Sequence, residues 1–181
     1  MEDMMTTGHV FMAMSLDGFV ARPDHKLDWL LKQKTDGEDH GYEDFAANMD
    51  GIIMGRNSFT TVLTFEKWPH EKPVIVLSRS LAQADVPPEL QGKVRISALA
   101  PDALMASLAE EGWRRAYVDG GQIIQSFIQD GLIEDMTITL VPILIGEGCR
   151  LFGEIDKDID LELIDTTSFP SGLIQTRYKV L

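Results

Sequence analysis

The feature that most constrains the fold is a recurring order of segments: a short apolar run, then glycine and small polar residues, then an amphipathic stretch. The order occurs at residues 52–54, which lead into Gly55-Arg56-Asn57-Ser58, and again at 116–118, which lead into Asp119-Gly120-Gly121. Short apolar runs bounded by turn residues are typical of buried strands. Strands that alternate with helices predict an α/β fold with a mostly parallel sheet.

Other apolar runs predict the rest of the sheet. Further strands are expected at 9–16, 73–77, 94–96, 136–145, 161–168 and 174–181. Helices are expected at 42–49, 59–65, 98–111 and 122–129. The last three strands have no helix signal between them, which predicts antiparallel strands at one edge. Residues 19–38 predict a long loop with a short helical turn, and loops of that length are often functional.

The composition of the chain limits the kinds of partner that it can bind. The chain has 181 residues, 44% of them hydrophobic, which suits one globular domain spanning residues 1–181. A formal net charge of −13 disfavours nucleic acid and anionic membrane surfaces as partners. The N-terminal segment is acidic and no long apolar stretch occurs, so neither a signal peptide nor a membrane span is predicted and a cytoplasmic location is expected.

Cysteine and histidine usage excludes two kinds of site. Cys149 is the single cysteine, so no intrachain disulfide and no cysteine-based zinc site can form. The four histidines, at positions 9, 25, 40 and 70, lack the spacing that places two imidazoles on one metal ion, and no metal is expected. A nucleophilic Cys149 would need a neighbouring base that the sequence does not show, so we interpret this residue as structural.

Small polar residues follow three of the predicted strands and indicate where a ligand binds. In open α/β sheets, ligands lie at the carboxyl ends of the strands. The turns at 55–58 and 120–122 enter predicted helices, whose unpaired N–H groups and positive dipole end attract phosphate. Glycine in both turns lets the backbone approach a ligand closely. Two such helix starts suit a pyrophosphate.

Arg79 follows the predicted strand 73–77 and is flanked by Ser78 and Ser80. A planar guanidinium there suits a further phosphate, such as the ribose 2′-phosphate that distinguishes NADP from NAD. The alternative is that Gly-Gly forms only a tight turn and that Arg79 is a surface charge. The joint order of the three turns favours a phosphorylated nucleotide, and the sequence predicts NADPH as the cofactor.

Five segments occur in a fixed order along the chain: FMAMSLDGFVA, IIMGRNSF, VIVLSRS, YVDGGQIIQSFI and LVPILIGEGCRLF. Together they resemble the dihydrofolate reductase superfamily, and most of all the bacterial group related to the reductase domain of riboflavin biosynthesis. The resemblance spans Val10 to about Val180. It implies a dihydrofolate-reductase-like three-layer α/β/α fold, with a mostly parallel mixed central sheet and antiparallel C-terminal strands.

The same resemblance implies an activity. The chain would be an NADPH-dependent reductase that transfers a hydride to a small heterocycle, such as a pteridine or a pyrimidine. It would be similar to 5-amino-6-(5-phosphoribosylamino)uracil reductase or to dihydrofolate reductase. A homodimer, formed through the C-terminal strands and the 141–152 segment, is implied as well. One alternative is an inactive nucleotide-binding or regulatory module on the same fold, and another is a scaffold that binds no nucleotide.

The resemblance also assigns residues to the cofactor. Ala13 and the Asp17-Gly18 turn would lie near the nicotinamide, and Ser78 and Arg79 would meet the adenosine ribose and its 2′-phosphate. The pyrophosphate would be held by Gly55, Arg56, Asn57, Ser58, Gly120, Gly121, Gln122 and Ile123. Asp119 stands where folate reductases commonly carry a further glycine, which would alter the approach of the backbone to the cofactor.

Two carboxylates are candidate catalytic residues. Folate reductases place one buried carboxylate early in the helix after the first loop, and counting back from Gly55 puts that position near Asp39. Glu43 follows one turn later on the same helical face. The alternatives are structural: Asp39 would complement the dipole at the helix start, and Glu43 would be a solvated side chain.

Overall fold

The computed structural model describes residues 4–181, and the first three residues of the acidic N-terminal segment lie outside them. The strands are β1 (Thr7–Ser15), β2 (Phe19–Ala21), β3 (Gly51–Gly55), β4 (Val74–Leu77), β5 (Val94–Ser97), β6 (Arg115–Asp119), β7 (Ile133–Val141), β8 (Cys149–Arg150), β9 (Leu161–Ser168) and β10 (Ile174–Val180). The helices are α1 (Asp28–Leu31), α2 (Tyr42–Ala47), α3 (Arg56–Val62), α4 (Pro101–Glu110) and α5 (Gly121–Gln129).

Eight strands form one mixed sheet in the order β5-β4-β3-β6-β1-β7-β10-β9. The first six run parallel, and β10 pairs in antiparallel orientation with β7 on one side and with β9 on the other. This confirms the predicted mostly parallel sheet with an antiparallel C-terminal edge. The carboxyl ends of β3, β4 and β6 therefore meet at one edge, directly before the turns that the sequence singled out.

Helices cover both faces of the sheet, which confirms the predicted three-layer architecture. On one face, α4 and α5 pack through Leu104, Leu108 and Phe127 against the central strands. On the other face, Phe59 of α3 and Met49 after α2 pack on β3 and β4. Each central strand contributes apolar side chains to both layers, as parallel strands buried on two faces do.

The predicted C-terminal strand 136–145 is shifted in the structure. Strand β7 begins earlier, at Ile133, because Gly8 of β1 pairs with that residue. It ends at Val141, and Pro142 follows directly. Proline has no N–H to continue a ladder, which accounts for the early end. The predicted residues 142–145 therefore belong to the loop after β7.

The loop predicted at 19–38 contains the short helix α1 but also strand β2, which the sequence did not indicate. Strand β2 pairs in antiparallel orientation with β8, far away in the chain, and the two form a separate two-stranded sheet. Trp29 of α1 is fully buried and packs with Val141 and Leu173 against the end of the main sheet. This side chain anchors the loop.

Two further findings concern membrane-spanning helices and metal sites. Along residues 4–181, no helix combines the length and the apolar content required to span a bilayer. Within the same part of the chain, no three His, Cys, Asp or Glu side chains are grouped so that they could hold a metal ion.

Candidate functional site

A cleft of about 850 Å³ crosses the carboxyl edge of the sheet and continues along α3. That size is in the usual range of ligand pockets. Eight of the residues predicted to hold a pyrophosphate line it: Gly55, Arg56, Asn57, Ser58, Gly120, Gly121, Gln122 and Ile123. The structure thus brings together the two glycine turns that are 65 residues apart in the sequence.

The two turns pack directly on each other. Gly120 has a φ of +105°, and a Cβ there would lie 2.6 Å from Ser58 Oγ. A Cβ on Gly55 would lie 2.9 Å from Ile123 Cγ1. Only glycine permits both the backbone angle at 120 and the close approach of the turns. The glycines therefore have a packing role as well as the predicted role at a ligand.

The helix starts at these turns carry open hydrogen-bond donors. Gly55 and Gly120 are the N-caps of α3 and α5, and neither start has a side-chain cap. The first N–H groups of a helix have no partner within the helix. The start of α5 therefore presents uncapped backbone donors to the cleft, beside those of α3, and this is the chemistry that a phosphate group requires.

Arg56 lies in the first turn of α3 and links this site to the loop after β4. Its Nη1 donates a hydrogen bond to Ser80 Oγ at 3.2 Å. Ser78 Oγ accepts hydrogen bonds from the N–H groups of Ser80 and Leu81 and so shapes the loop. Arg79 is exposed and, like Ser78, does not line the cleft. At the glycine turns, the guanidinium that lines the cleft is that of Arg56 rather than Arg79.

The predicted nicotinamide contacts at the end of β1 lie outside the cleft lining. The carboxylate of Asp17 accepts hydrogen bonds from Ser15 Oγ at 2.6 Å and from the N–H of Gly146 at 2.8 Å. The Ser15 hydrogen bond is the main cause that lowers the pKa of Asp17. Asp17 thus ties the end of β1 to the loop after β7. Ala13 packs against the cluster formed by Trp29, Val141 and Leu173, and Gly18 occupies the turn with a φ of +94°.

Asp119, at the end of β6, is the carboxylate that the fold places in the cleft. Burial raises its pKa from 3.8 to about 6, and a hydrogen bond from the N–H of Gly120 partly offsets that rise. The tyrosines Tyr42 and Tyr117 also line the cleft, and their rings are 6.2 Å apart. Burial, followed by the charge of Asp119, raises the pKa of both phenols. A partly protonated acid and two neutral phenols therefore share this wall.

The two carboxylates predicted to be catalytic lie elsewhere. Asp39 and Glu43 are exposed and line neither this cleft nor a second cavity on the other side of α2. Asp39 Oδ1 accepts a hydrogen bond from the N–H of Gly41 at 2.8 Å, which shapes the turn before α2. Helix α2 is short and presents Tyr42, rather than an acidic residue, to the cleft.

Strand β8 forms the opposite wall of the cleft and contains Cys149. The structure supplies the neighbouring base that the sequence could not show: His25 Nδ1 lies 3.6 Å from Cys149 Sγ. The thiol also contacts the carbonyl oxygen of Arg22 at 3.7 Å. Arg150, the next residue, stacks its guanidinium 4.6 Å from the ring centre of Phe19. These contacts fasten β8 to the loop that carries β2.

Several cleft residues were not predicted. They lie on segments that are distant in the sequence and that only the folded chain brings together. They include Met12, His25, Leu27, Tyr42, Phe65, His70, Tyr117 and Arg150. Their local sequence carries no motif, because core-facing aromatic and apolar residues have the same spacing as those that line a cleft. Asp119 had a visible signal, since it directly precedes the Gly-Gly turn.

The chain is similar to known proteins over most of its length. The family model of the RibD C-terminal domain matches residues 6–175. The crystal structure of a provisionally named riboflavin biosynthesis protein from Shewanella sp. PV-4 has a TM-score of 0.91 and 36% identity, covering 97% of this chain and 99% of that chain. The uncharacterized protein YwjB of Bacillus subtilis (strain 168) is 29% identical over 173 residues, 93% of this chain and 95% of that protein.

A third similarity concerns the fold alone. Dihydrofolate reductase from Enterococcus faecalis, solved in complex with NADP(H), has a TM-score of 0.66 at 16% identity, covering 97% of this chain and 98% of that chain. It confirms the dihydrofolate-reductase-like fold that the five sequence segments implied.

Proposed function

Because the chain belongs to the family of the RibD C-terminal domain, we propose that it is an NADPH-dependent reductase that transfers a hydride to a small heterocycle, a pteridine, a pyrimidine or a related ring. The observation that carries the proposal is the meeting of two glycine-led helix starts beside a guanidinium at the mouth of one cleft. The chain has the fold of a dihydrofolate reductase whose structure was solved with NADP(H).

The residues present fit a dinucleotide phosphate. The uncapped N–H groups at the start of α5 and the backbone at 55–58 would hold the pyrophosphate. Arg56, with the Ser78–Ser80 loop beside it, would hold the 2′-phosphate. When bound, NADPH supplies the hydride from its nicotinamide ring. The protein's share is to orient the two reactants and to exclude water.

Asp119 is the proposed holder of the proton that accompanies the hydride. Burial places its pKa about one unit below neutral pH, so a fraction of the carboxyl groups carries a proton there. The neighbouring Tyr42 and Tyr117 stay neutral and offer hydroxyl groups beside it. These three side chains would position and protonate the substrate ring.

The proposal predicts a preference for NADPH over NADH, measured by quenching of tryptophan fluorescence. We expect Arg56→Ala to weaken NADPH binding by about 10- to 100-fold, since a charge-assisted contact contributes about 1.5–3 kcal/mol. NADH binding should change much less. Arg79→Ala tests the residue that the sequence indicated. Arg95→Ala is the matched control, because Arg95 pairs with Glu111 at 3.0 Å and does not line the cleft.

The outcomes separate the candidate functions. Failure to bind either nucleotide would overturn the reductase proposal and leave the scaffold alternative. Tight NADPH binding without turnover of any pteridine or pyrimidine would identify a nucleotide-binding module that lacks catalysis.

We also propose that the protein is a homodimer, in which the edge strand β9 pairs with a second copy. Every residue of β9 is exposed, and Leu163 and Ile164 are 56% and 44% exposed. An exposed edge strand with apolar side chains is a template for pairing with another chain. We expect Ile164→Lys to convert the dimer to a monomer in light scattering, and Leu31→Lys, at a 79% exposed position on α1, to leave it intact. A monomeric wild type would contradict this.

A further inference from the structure

The part of the cleft beyond the proposed cofactor residues is walled by apolar and aromatic side chains. Its residues come from the end of α3 and the segment after it, from the start of α2, and from the residue before α1. Its lining comprises Leu27, Tyr42, Val62, Phe65, Pro69 and His70. If NADPH occupies the glycine turns, as proposed above, this is the space left for the substrate. Aromatic walls of this kind favour a flat ring, which stacks against them.

This wall contains no cation. Among the residues the structure describes, the cleft lining has two arginines and no lysine. Arg56 lies at the start of α3 and is bound to Ser80 Oγ. Arg150 stacks on Phe19 in the wall made by β8. Neither guanidinium belongs to the segments that form the apolar wall.

The two histidines of the lining do not replace such a cation. Burial lowers the pKa of His70, so its ring is neutral at pH 7 and offers a polar edge without charge. The ring centroids of His70 and Trp68 are 5.4 Å apart, and the two rings are nearly perpendicular. His25 lies on the β8 side, against Cys149 Sγ. Among the described residues, the carboxylate that lines the cleft is that of Asp119, and it offers an anion no positive charge.

We infer that the substrate is an uncharged ring compound without a phosphate or carboxylate group. The inference rests on the proposed function and narrows the class of substrate that the reductase would take. A phosphate placed against the apolar wall would lose water and gain no partner, because recognition of that group requires guanidinium, ammonium or open N–H groups. In this cleft those groups are Arg56, the open N–H groups at the glycine turns, and Arg150, whose guanidinium is stacked on Phe19. The chain therefore differs from a reductase whose substrate carries a ribose phosphate.

The test measures direct binding of matched probes rather than turnover. One pair is 7,8-dihydroneopterin and its 3′-phosphate, and the other is uridine and its 5′-phosphate. Each is titrated by calorimetry with and without saturating NADPH. We expect the uncharged member to bind at least about tenfold more tightly in at least one pair, which is about 1.4 kcal/mol. Tighter or equal binding of the phosphorylated members would overturn the inference, and so would failure of both uncharged probes to bind.

A gain of function provides the second measurement. Phe65 is 47% exposed and lines the apolar wall. We expect Phe65→Arg to reduce the discrimination against the phosphorylated probe by about fivefold, since a partly exposed ion pair contributes up to about 1 kcal/mol. Phe65→Leu, which adds no charge, is the matched control and should leave the discrimination unchanged. A phosphorylated probe that gains nothing from the new guanidinium would contradict the inference, because the discrimination would then not arise from the lack of a cation at this wall.

The two proposals fail in different ways. If the uncharged probes are preferred but NADPH does not bind, the reductase proposal is wrong, and the inference that the cleft binds uncharged rings is retained. If NADPH binds and the phosphorylated probes are preferred, the ligand class is wrong and the reductase proposal stands.

Discussion

Trp29→Ala is expected to lower the free energy of unfolding by about 3–5 kcal/mol, the usual cost of truncating a buried tryptophan. Trp29 is fully buried although it lies on a four-residue helix within a loop. Its ring packs with Val141 and Leu173 and joins the loop to the sheet. The loop carries β2 and Leu27, which line the cleft, so the same substitution should also weaken NADPH binding.

Two matched variants make this result specific. Trp29→Phe retains an aromatic ring and removes an indole N–H that has no partner in the structure, so its cost should stay below about 1.5 kcal/mol. Leu31→Ala, on the same helix but 79% exposed, should change stability by less than about 0.5 kcal/mol. Urea denaturation followed by circular dichroism measures all three. A small effect of Trp29→Ala would show that the loop is not anchored by this ring.

Asp119→Ser is expected to stabilise the protein at pH 8 while it removes most of the catalytic rate. The pKa of Asp119 rises from 3.8 to about 6 on folding, so the ionised carboxylate costs up to about 3 kcal/mol of stability at pH 8. In the wild type, that cost disappears as the pH falls from above 6 to below 4. The gain in free energy of unfolding from Asp119→Ser should therefore be largest above pH 6 and absent below pH 4.

The serine variant should be the more stable protein above pH 6, but the wild type should be the faster enzyme. If Asp119 donates the proton, the wild-type rate falls as the pH rises above about 6, and the serine variant is slower by about 10²- to 10⁴-fold without that dependence. Urea denaturation at several pH values and the pH profile of NADPH oxidation measure the two effects. Asp44→Ser, at an exposed position on α2, is the control and should leave both profiles unchanged. A wild-type profile without a descending limb would exclude Asp119 as the donor.

The central sheet could be predicted because its signal is local. The apolar runs at 52–54, 73–77 and 116–118 are short, bounded by turn residues, and buried as strands in the structure. The glycine turns after the first and third of these were also visible, since glycine directly follows or nearly follows each strand. Their convergence on one cleft follows from parallel strand order, which fixes where carboxyl ends meet.

The substrate side could not be predicted, because its geometry depends on contacts between distant segments. Strand β2 exists only because β8 pairs with it, and neither segment is long enough to show a pattern alone. Counting residues back from Gly55 located Asp39 along the chain but not the orientation or length of α2. The pKa of Asp119 depends on burial by residues from other elements, which no local spacing reveals.

The pairing of β2 with β8 has a consequence for substitutions in either segment. Gly148 packs so closely on the carbonyl of Ala21 that a Cβ at 148 would overlap it. The two short strands are held by one ladder and by the stack of Arg150 on Phe19. A substitution at 148 that adds a Cβ therefore requires the backbone at Ala21 to move. Positions 19–21 and 148–150 therefore form a single structural unit, although more than a hundred residues separate them in the chain.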